Sequence, residues 1–194
     1  MDLASRLDFE IPKSLLSNEK SKLFEFSQRN SKIVLKLLNQ DFYKTSSNEF
    51  KGFYVNVLNS EDLMDFCETE ENPIFVQEYI EKKFEVRYTI VGSEHFVCKI
   101  DSQKSELSKI DWRRYDLPNT PHNIIKPPQG IKTKVSKLLK KLNLHYGALD
   151  FIVTPDNKWY FLEINPSGQF LWIEDLTGLA ISDSIAKWLI SHSS

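Results

Sequence analysis

The sequence of 194 residues has few cysteines, few glycines and no long apolar segment. Its two cysteines, Cys67 and Cys98, have neither the spacing of zinc ligands nor the density of a disulfide-rich secreted protein. The N-terminus has no apolar signal core, and no segment reaches the roughly 18 apolar residues of a membrane helix. These absences predict a soluble, cytoplasmic protein without a membrane partner.

A large excess of one charge is also missing, because 25 basic and 27 acidic residues leave a net charge of −2. This balance argues neither for nor against a polyanionic partner. The segment Lys126–Lys141 is locally basic, but apolar residues recur within it at helical spacing, so a helix with a solvated basic face is expected. A nucleic-acid or membrane surface is the less favoured interpretation, and no nucleic-acid partner is expected.

Helical and strand patterns both occur along the chain and predict an α+β protein. A helix is expected at residues 18–30, and a strand–loop–strand unit follows at 33–58, which together form a first lobe. The other expected elements are a strand at 73–80, hairpins at 84–100 and 147–165, and helices at 131–142 and 184–191. Residues 101–129 have little periodicity, and an irregular segment of that length is usually functional or disordered.

Acidic residues interrupt both strands of the last hairpin. Asp150 lies in the first strand, and Glu163 and Asn165 share one face of the second, because side chains alternate with a period of two. A turn centred between residues 156 and 157 places Asp150 directly opposite Glu163. This pairing holds for a loop of two or four residues and fails for a loop of three.

Two carboxylates in opposed positions destabilise a hairpin unless something compensates their charge. At an effective dielectric near 20 and a separation of about 5 Å, they repel by roughly 3 kcal/mol. Such a pair is retained when a cation lies between the carboxylates or when one of them holds a proton. Asn165 adds a neutral oxygen, and an all-oxygen set of this kind suits Mg²⁺. Two exposed carboxylates at a sheet edge are the simpler alternative, and a two-carboxylate hydrolase leaves Asn165 unexplained.

At these residues the chain resembles the ATP-grasp superfamily, and in particular the ligases that cyclise ribosomal peptides of the microviridin (graspetide) type. The step Glu163-Ile-Asn-Pro166 is typical of the broad superfamily. The runs Asp111–Asp116 and Gly168–Glu174 are more specific to the peptide-cyclising branch. The resemblance covers nearly the whole chain and is carried by the segments Phe75–Ile80, Glu85–Arg87, Val91–Gly92, Ile100–Gln103, Asp111–Asp116, Gly147–Asp150, Phe161–Gln169 and Leu171–Gly178.

The resemblance implies an ATP-grasp fold, in which two lobes of antiparallel sheet with flanking helices hold a nucleotide between them. Residues 1–73 would form the small lobe on the phosphate side, and residues 74–194 the large lobe with the metal site. Full-length ligases of this type have a further N-terminal lobe before the equivalent of Leu3–Pro12, and the sequence lacks it. Two smaller departures are a loop without glycine at Asn39–Asn48 and Ser167 in a position where asparagine is common.

The resemblance also implies ligands for ATP and Mg²⁺. Lys36 would bind the α- and β-phosphates, although a lysine in an apolar strand can also extend its amine to solvent. Glu85 would bind the ribose hydroxyls, with an exposed strand carboxylate as the alternative. Adenine would be held largely by the main chain of a hinge formed by Glu78, Tyr79 and Ile80. The magnesium ligands would be Asp150, Glu163 and Asn165.

Three arginines, Arg87, Arg113 and Arg114, are the candidate catalytic residues. A planar guanidinium suits phosphate or carboxylate, so one of them would steady the transferring phosphoryl group or an acyl phosphate. The others could instead pair with Asp111, Asp116 or an acidic substrate. The run Trp112–Tyr115 could also form an RNA-stacking patch, but no wider basic surface supports that interpretation.

The implied function is the formation of side-chain ester or amide crosslinks in a ribosomal precursor peptide, driven by ATP through an acyl phosphate. Residues 101–121 would recognise the precursor, and a homodimer is compatible with the sequence. One alternative is an ATP-grasp ligase that adds free amino acids to a protein or peptide. Another is a catalytically inactive module that binds nucleotide or peptide.

Overall fold

A computed structural model describes residues 1–36, 42–44, 50–52, 56–66, 73–112 and 116–193. Arg113, Arg114, Cys67 and most of the loop expected at Asn39–Asn48 lie outside the described residues. The chain divides into two units, one formed by Met1–Ile11, Glu81–Glu106 and Asp116–Ser194, and the other by Pro12–Ile80 and Leu107–Tyr115. The lobe boundary between residues 73 and 74 stays a prediction.

The unit that contains Pro12–Ile80 is built on a four-stranded antiparallel sheet. Its strands are ordered β1-β6-β2-β5, so a strand late in this unit lies between two earlier ones. Helices α2 and α3 complete a small core of Leu23, Ile33, Leu63 and Val76. The elements are β1 (Ser14–Ser17), α2 (Lys20–Arg29), β2 (Ile33–Lys36), a ribbon of β3 (Phe42–Lys44) and β4 (Phe50–Gly52), β5 (Asn56–Leu58), α3 (Ser60–Phe66) and β6 (Ile74–Glu78).

The other unit contains a five-stranded antiparallel sheet in the order β11-β10-β7-β8-β9. Gly92 has a φ of +56° in the two-residue loop that joins β7 to β8, as a type II′ turn requires. The elements of the first sheet lie between α1 and β7 in the chain. The elements of this unit are α1 (Asp2–Arg6), β7 (Phe84–Val91), β8 (Glu94–Ile100), β9 (His122–Ile124), α4 (Gln129–Leu142), β10 (Tyr146–Val153), β11 (Trp159–Asn165), α5 (Leu171–Thr177) and α6 (Ile181–Ser191).

One face of the five-stranded sheet carries the main hydrophobic core. Helix α4 contributes Val135, Leu138 and Leu139, which follow the helical spacing expected from the sequence. The N-terminal segment adds Phe9, whose ring lies 5.2 Å from that of Phe161. Because alternate residues of each strand point into this core, the remaining residues of β7, β10 and β11 face the opposite side of the sheet. Within the described residues, no helix has the length and apolarity needed to cross a membrane.

Candidate functional site

The hairpin of β10 and β11 has a loop of odd length, so the predicted even-length turn is wrong. Val153 pairs with Trp159, and the Thr154 N–H donates to the Lys158 carbonyl at 3.0 Å, which leaves a three-residue loop. Asn157 in that loop has a φ of +63°. A type I turn followed by one left-handed residue is the usual form of a three-residue hairpin loop.

A β-bulge restores the pairing on which the site depends. Phe151 pairs with Phe161, but Asp150 pairs with Glu163, so Leu162 is left without a partner position on β10. The extra residue in β11 offsets the extra residue in the loop. The predicted opposition of Asp150 and Glu163 is therefore confirmed, for a reason that differs from the predicted one.

Arg87 lies on the same sheet face, on the other side of Asp150. The Cα partner of Asp150 on β7 is Arg87, and its partner on β11 is Glu163, so the three residues form a row across neighbouring strands. Arg87 Nη1 donates to both carboxylate oxygens of Asp150 at 2.9 Å. The side chains of Arg87 and Asp150 are only 10% and 17% exposed.

This row supplies the cation that two opposed carboxylates need. The guanidinium compensates the charge of Asp150 within the protein itself, so the carboxylate pair alone does not require a metal ion. The simpler alternative, in which both carboxylates are exposed at a sheet edge, holds only for Glu163. That residue lies exposed on the edge strand β11, whereas Asp150 lies on the inner strand β10.

The third predicted metal ligand, Asn165, is opposite Ala148 and continues the face of Glu163. Its Oδ1 accepts hydrogen bonds from the backbone N–H of Ser167 at 2.9 Å and from the Ser167 hydroxyl at 3.2 Å. The amide therefore shapes the turn after β11, as short polar side chains often do. Ser167, which departs from the residue common in the family, contributes both of these donors.

The turn after β11 is held against the sheet at two carbonyl groups. The Tyr146 hydroxyl donates to the Gly168 carbonyl, and Arg87 Nη2 donates to the Gln169 carbonyl at 3.4 Å. Burial raises the pKa of Tyr146. A Cβ atom at Gly168 would lie 2.5 Å from the Ala148 Cβ, so only glycine permits this close approach.

Glu85 is two residues before Arg87 on β7 and is buried, which excludes the exposed carboxylate expected as its alternative role. Its Oε1 accepts a hydrogen bond from Lys82 Nζ at 2.8 Å, and the two side chains are 9% and 3% exposed. The sequence does not predict this ion pair, because Lys82 lies in a polar bend of a kind that is typical of a solvated surface. A buried lysine paired with a carboxylate is uncommon and identifies Lys82 as an additional candidate residue.

Two aromatic residues that the sequence analysis assigns no role lie beside Arg87. The Arg87 Cζ atom lies 5.9 Å from the ring centroid of Trp172 on α5. His122 on β9 contacts the same indole, with ring centroids 5.7 Å apart and planes at 88°. Trp172 lies within a motif that carries the family resemblance, but only the structure brings it to Arg87.

The predicted nucleotide ligands Lys36, Glu78, Tyr79 and Ile80 belong to the unit that contains Pro12–Ile80. Lys36 is the last residue of β2, is partly buried and pairs with Phe75 of β6. The Glu78 carboxylate accepts a hydrogen bond from the Lys13 N–H at 2.9 Å, and the Glu78 N–H donates to the Lys13 carbonyl at 2.9 Å.

The next hinge residue also uses its main-chain donor within this unit. The Tyr79 N–H donates to the Lys32 carbonyl at 3.0 Å. Ile80 follows it as a partly buried residue outside the strands. The N–H groups of Glu78 and Tyr79 therefore bind the residues that directly precede β1 and β2. The role of the hinge in holding adenine stays a prediction.

The donor set of the hairpin fits magnesium in type. Asp150, Glu163 and Asn165 offer only oxygen atoms, the ligand type that Mg²⁺ prefers. Among the described residues, no group of three or more His, Cys, Asp or Glu side chains could hold a metal ion. Two carboxylates and an amide leave coordination positions open, which is the arrangement that Mg²⁺ fills with water and phosphate oxygens.

Two solved structures match nearly all of this chain. A RiPP-associated ATP-grasp ligase of Chryseobacterium gregarium, in complex with ADP and a leader and core peptide, has a TM-score of 0.90 and 31% sequence identity, over 100% of this chain and 58% of that one. The macrocyclase MdnC of Microcystis aeruginosa MRC, bound with precursor peptide MdnA, has a TM-score of 0.84 and 32% identity, over 99% and 58% of the two chains.

This chain has the ATP-grasp fold and is similar over nearly its whole length to ATP-grasp ligases. The expected fold is confirmed, and so is the resemblance to ATP-grasp ligases associated with ribosomal peptides. The ligase PsnB, complexed with a phosphomimetic variant of its minimal precursor, Mg and ADP, shares the fold at 17% identity and a TM-score of 0.74, over 98% of this ATP-grasp chain and 56% of PsnB.

The ATP-grasp chain spans little more than half the length of these solved relatives, since it covers 58% of the first two. No protein-family model matches its sequence, and no curated protein sequence matches it either. The likeness therefore rests on the structural comparison and on the motifs that the sequence shares with the family.

Proposed function

We propose that this chain acts in an ATP-dependent ligase that forms side-chain ester or amide crosslinks in a ribosomal precursor peptide. The observation that carries the proposal is the row of Arg87, Asp150 and Glu163 on one face of the ATP-grasp sheet. The two solved relatives with about one third identity support it, since one holds ADP and both hold peptide. Because the reaction consumes ATP and acts on a ribosomal product, we place it in the cytoplasm.

The proposed cofactors are ATP and Mg²⁺. In this proposal, Mg²⁺ held by Asp150, Glu163 and Asn165 supplies Lewis-acid stabilisation of the phosphate charge. Glu85 binds the ribose hydroxyls, and Lys82 pairs with that carboxylate and orients it in its buried position. The remaining nucleotide contacts come from Lys36 and from the hinge residues Glu78, Tyr79 and Ile80.

The reaction divides into two transfers. An Asp or Glu carboxylate of the peptide attacks the γ-phosphorus of ATP, the bond from that phosphorus to the bridging oxygen breaks, and ADP leaves. A Thr or Ser hydroxyl, or a Lys amine, of the same peptide then attacks the acyl carbon. Phosphate leaves with the electron pair of the broken C–O bond, and the nucleophile loses its proton, so the peptide loses one water per ring.

Arg87 is the described arginine whose position suits these transfers. Its guanidinium is fixed by Asp150 and by the Gln169 carbonyl, at the end of the strand that carries Glu163. A positioned guanidinium stabilises charge that develops on phosphoryl oxygens and needs little reorganisation during the reaction. Arg113 and Arg114 remain proposed catalytic residues on the strength of the motif alone.

Mass spectrometry of a candidate precursor tests the proposal directly. The precursor to use is a short peptide encoded beside the gene that contains Thr, Ser or Lys together with Asp or Glu. Incubation with the protein, ATP and Mg²⁺ is expected to remove one water per ring. Glu163→Gln is expected to abolish the loss, whereas Glu94→Gln, which changes an exposed carboxylate at the start of β8, is expected to leave it unchanged.

Other outcomes would support the alternative functions. A mass gain in the presence of free amino acids would indicate a ligase that extends a peptide or protein. Thermal stabilisation by ATP and Mg²⁺ without ADP release would indicate a binding module. Either result, obtained with a precursor that loses no water, would contradict the cyclisation proposal.

A further inference from the structure

Arg87, Trp172 and His122 come from three different elements and form one cluster on the site face of the sheet. The guanidinium Cζ lies 5.9 Å from the Trp172 ring centroid, and the His122 ring meets the same indole with centroids 5.7 Å apart. The proposed reaction uses only Arg87. The other two residues are therefore available for a role that the reaction scheme leaves unassigned.

The contacts of Arg87 differ in how they respond to a second cation. Its Nη1 is bound to the Asp150 carboxylate at 2.9 Å, but Asp150 is also a proposed magnesium ligand, so two cations would share one carboxylate. The share of the carboxylate charge available to Arg87 falls when another cation binds it. The contact with the Trp172 indole is not subject to that competition, because an aromatic face attracts a cation without accepting its N–H groups.

His122 in turn restricts Trp172. Its ring stands at 88° to the indole, which is a favoured arrangement of aromatic pairs. Burial lowers the pKa of His122, while a hydrogen bond with the Thr120 main chain and the charge of Asp101 raise it. His122 Nε2 is buried and has no hydrogen-bond partner among the described residues, so packing against Trp172 helps to fix the ring beside its hydrogen bond with the Thr120 main chain.

We propose that Trp172, restrained by His122, is a positioning residue that holds the Arg87 guanidinium in place for the two transfer steps. This inference rests on the proposed function. Loss of the indole is expected to slow the transfers and to leave the affinity for ATP nearly unchanged, because Trp172 acts through Arg87. Misplacement of a reacting group by about 1 Å can reduce a rate on the order of a hundredfold.

A double-mutant cycle with Trp172→Leu and Arg87→Lys tests whether the two residues act together. In the wild-type background, Trp172→Leu is expected to reduce kcat for ring formation roughly 10- to 100-fold, with KM for ATP changed less than about threefold. In the Arg87→Lys background, the same substitution is expected to change kcat less than about threefold. Equal factors in the two backgrounds would overturn the proposal. Trp172→Phe retains an aromatic face and is expected to recover most of the rate.

Two further measurements separate positioning from general damage to the fold. Trp188→Leu removes an indole of the same unit that stacks with His145 and with His192, and it is expected to leave the response to Arg87→Lys unchanged. Thermal unfolding of the wild type, the two single variants and the double variant is measured without nucleotide, metal or peptide. The decrease in Tm of the double variant is expected to be smaller than the sum of the decreases in the two single variants.

The unfolding cycle also separates the two proposals. If the wild-type protein forms no rings, the proposed function fails, and the Tm values still show whether Trp172 holds Arg87. Additive Tm changes would overturn the positioning role, whatever the activity of the wild type.

Discussion

A single nitrogen of Arg87, Nη1, lies 2.9 Å from each carboxylate oxygen of Asp150, and the two residues are direct partners across β7 and β10. Glu163 is the partner of Asp150 on the other side, so the row holds two carboxylates and one guanidinium. The pair is largely excluded from solvent, so its loss cannot be compensated fully by water. The stability of the protein and the proposed chemistry therefore depend on the same arginine.

Arg87→Met is expected to destabilise the protein by about 3 kcal/mol, because Asp150 is left partly buried without its counter-charge and opposite Glu163. Urea unfolding would measure the change. A second substitution, Asp150→Asn, is expected to recover most of the stability by removing the unpaired charge. As a control, Arg29→Met breaks an exposed pair with Glu25 and is expected to cost less than about 1 kcal/mol. Equal losses for the two arginines would contradict the role of Arg87 in the row.

Gly168→Ala is expected to destabilise the protein by roughly 1–3 kcal/mol, because the added Cβ atom would lie 2.5 Å from the Ala148 Cβ. Ala148→Gly in the same chain is expected to restore part of that loss. The matched control is Gly130→Ala in α4, where a Cβ atom would meet nothing within 4 Å. That change is expected to stabilise the helix by up to about 1 kcal/mol. A Gly168→Ala protein as stable as the wild type would show that the turn can move away from β10.

Lys82→Met is expected to destabilise the protein by about 3–5 kcal/mol, because it leaves the Glu85 carboxylate buried without its cation. Removal of both charges in Lys82→Met with Glu85→Leu is expected to recover most of this loss. The double variant is nevertheless expected to bind ATP at least about tenfold more weakly, if Glu85 binds ribose. Calorimetry would measure the affinity, and wild-type affinity in a folded double variant would contradict the ribose role.

Stability is expected to decrease as the pH falls below about 6.5, in part because of His95. Burial, and then the charge of Lys132, lower the pKa of His95 below the ordinary value for histidine. The unfolded chain therefore binds a proton more readily than the folded protein, so acid favours unfolding. His95 Nδ1 also lies 2.8 Å from the buried hydroxyl of Tyr88.

Urea unfolding at several pH values would measure this effect. His95→Gln is expected to reduce the slope of stability against pH between about pH 6.5 and 5, relative to the wild type. His192→Gln, an exposed histidine at the end of α6, is the control and is expected to leave the slope unchanged. A slope unaltered by His95→Gln would exclude His95 as its source.

Local patterns in the sequence predict much of the fold, because they depend on spacing within one element. The helix with Val135 and Leu139 and the hairpin with Gly92 both follow this rule. The partnership of Arg87 with Asp150 does not, because it joins residues 63 positions apart and depends on which strands are neighbours. No pattern within β7 or β10 indicates that order.

The candidate site shows the same division. The opposition of Asp150 and Glu163 is predicted from a regular hairpin, yet it depends on a bulge at Leu162 that no residue type in the segment indicates. Lys82 is a further omission, because burial of a lysine in a polar bend is decided by tertiary packing. Arg113 and Arg114 lie outside the described residues, so their predicted roles stay predictions.

The unpaired Leu162 has a consequence for any change in the length of this hairpin. Its tip holds three residues and its second strand holds one residue too many, and the two irregularities cancel. An insertion or deletion of one residue at the tip would therefore turn Glu163 away from Asp150 unless the strand changed by one residue as well. The loop length and the bulge must therefore change together, so homologues with a regular β11 are expected to carry a loop of even length.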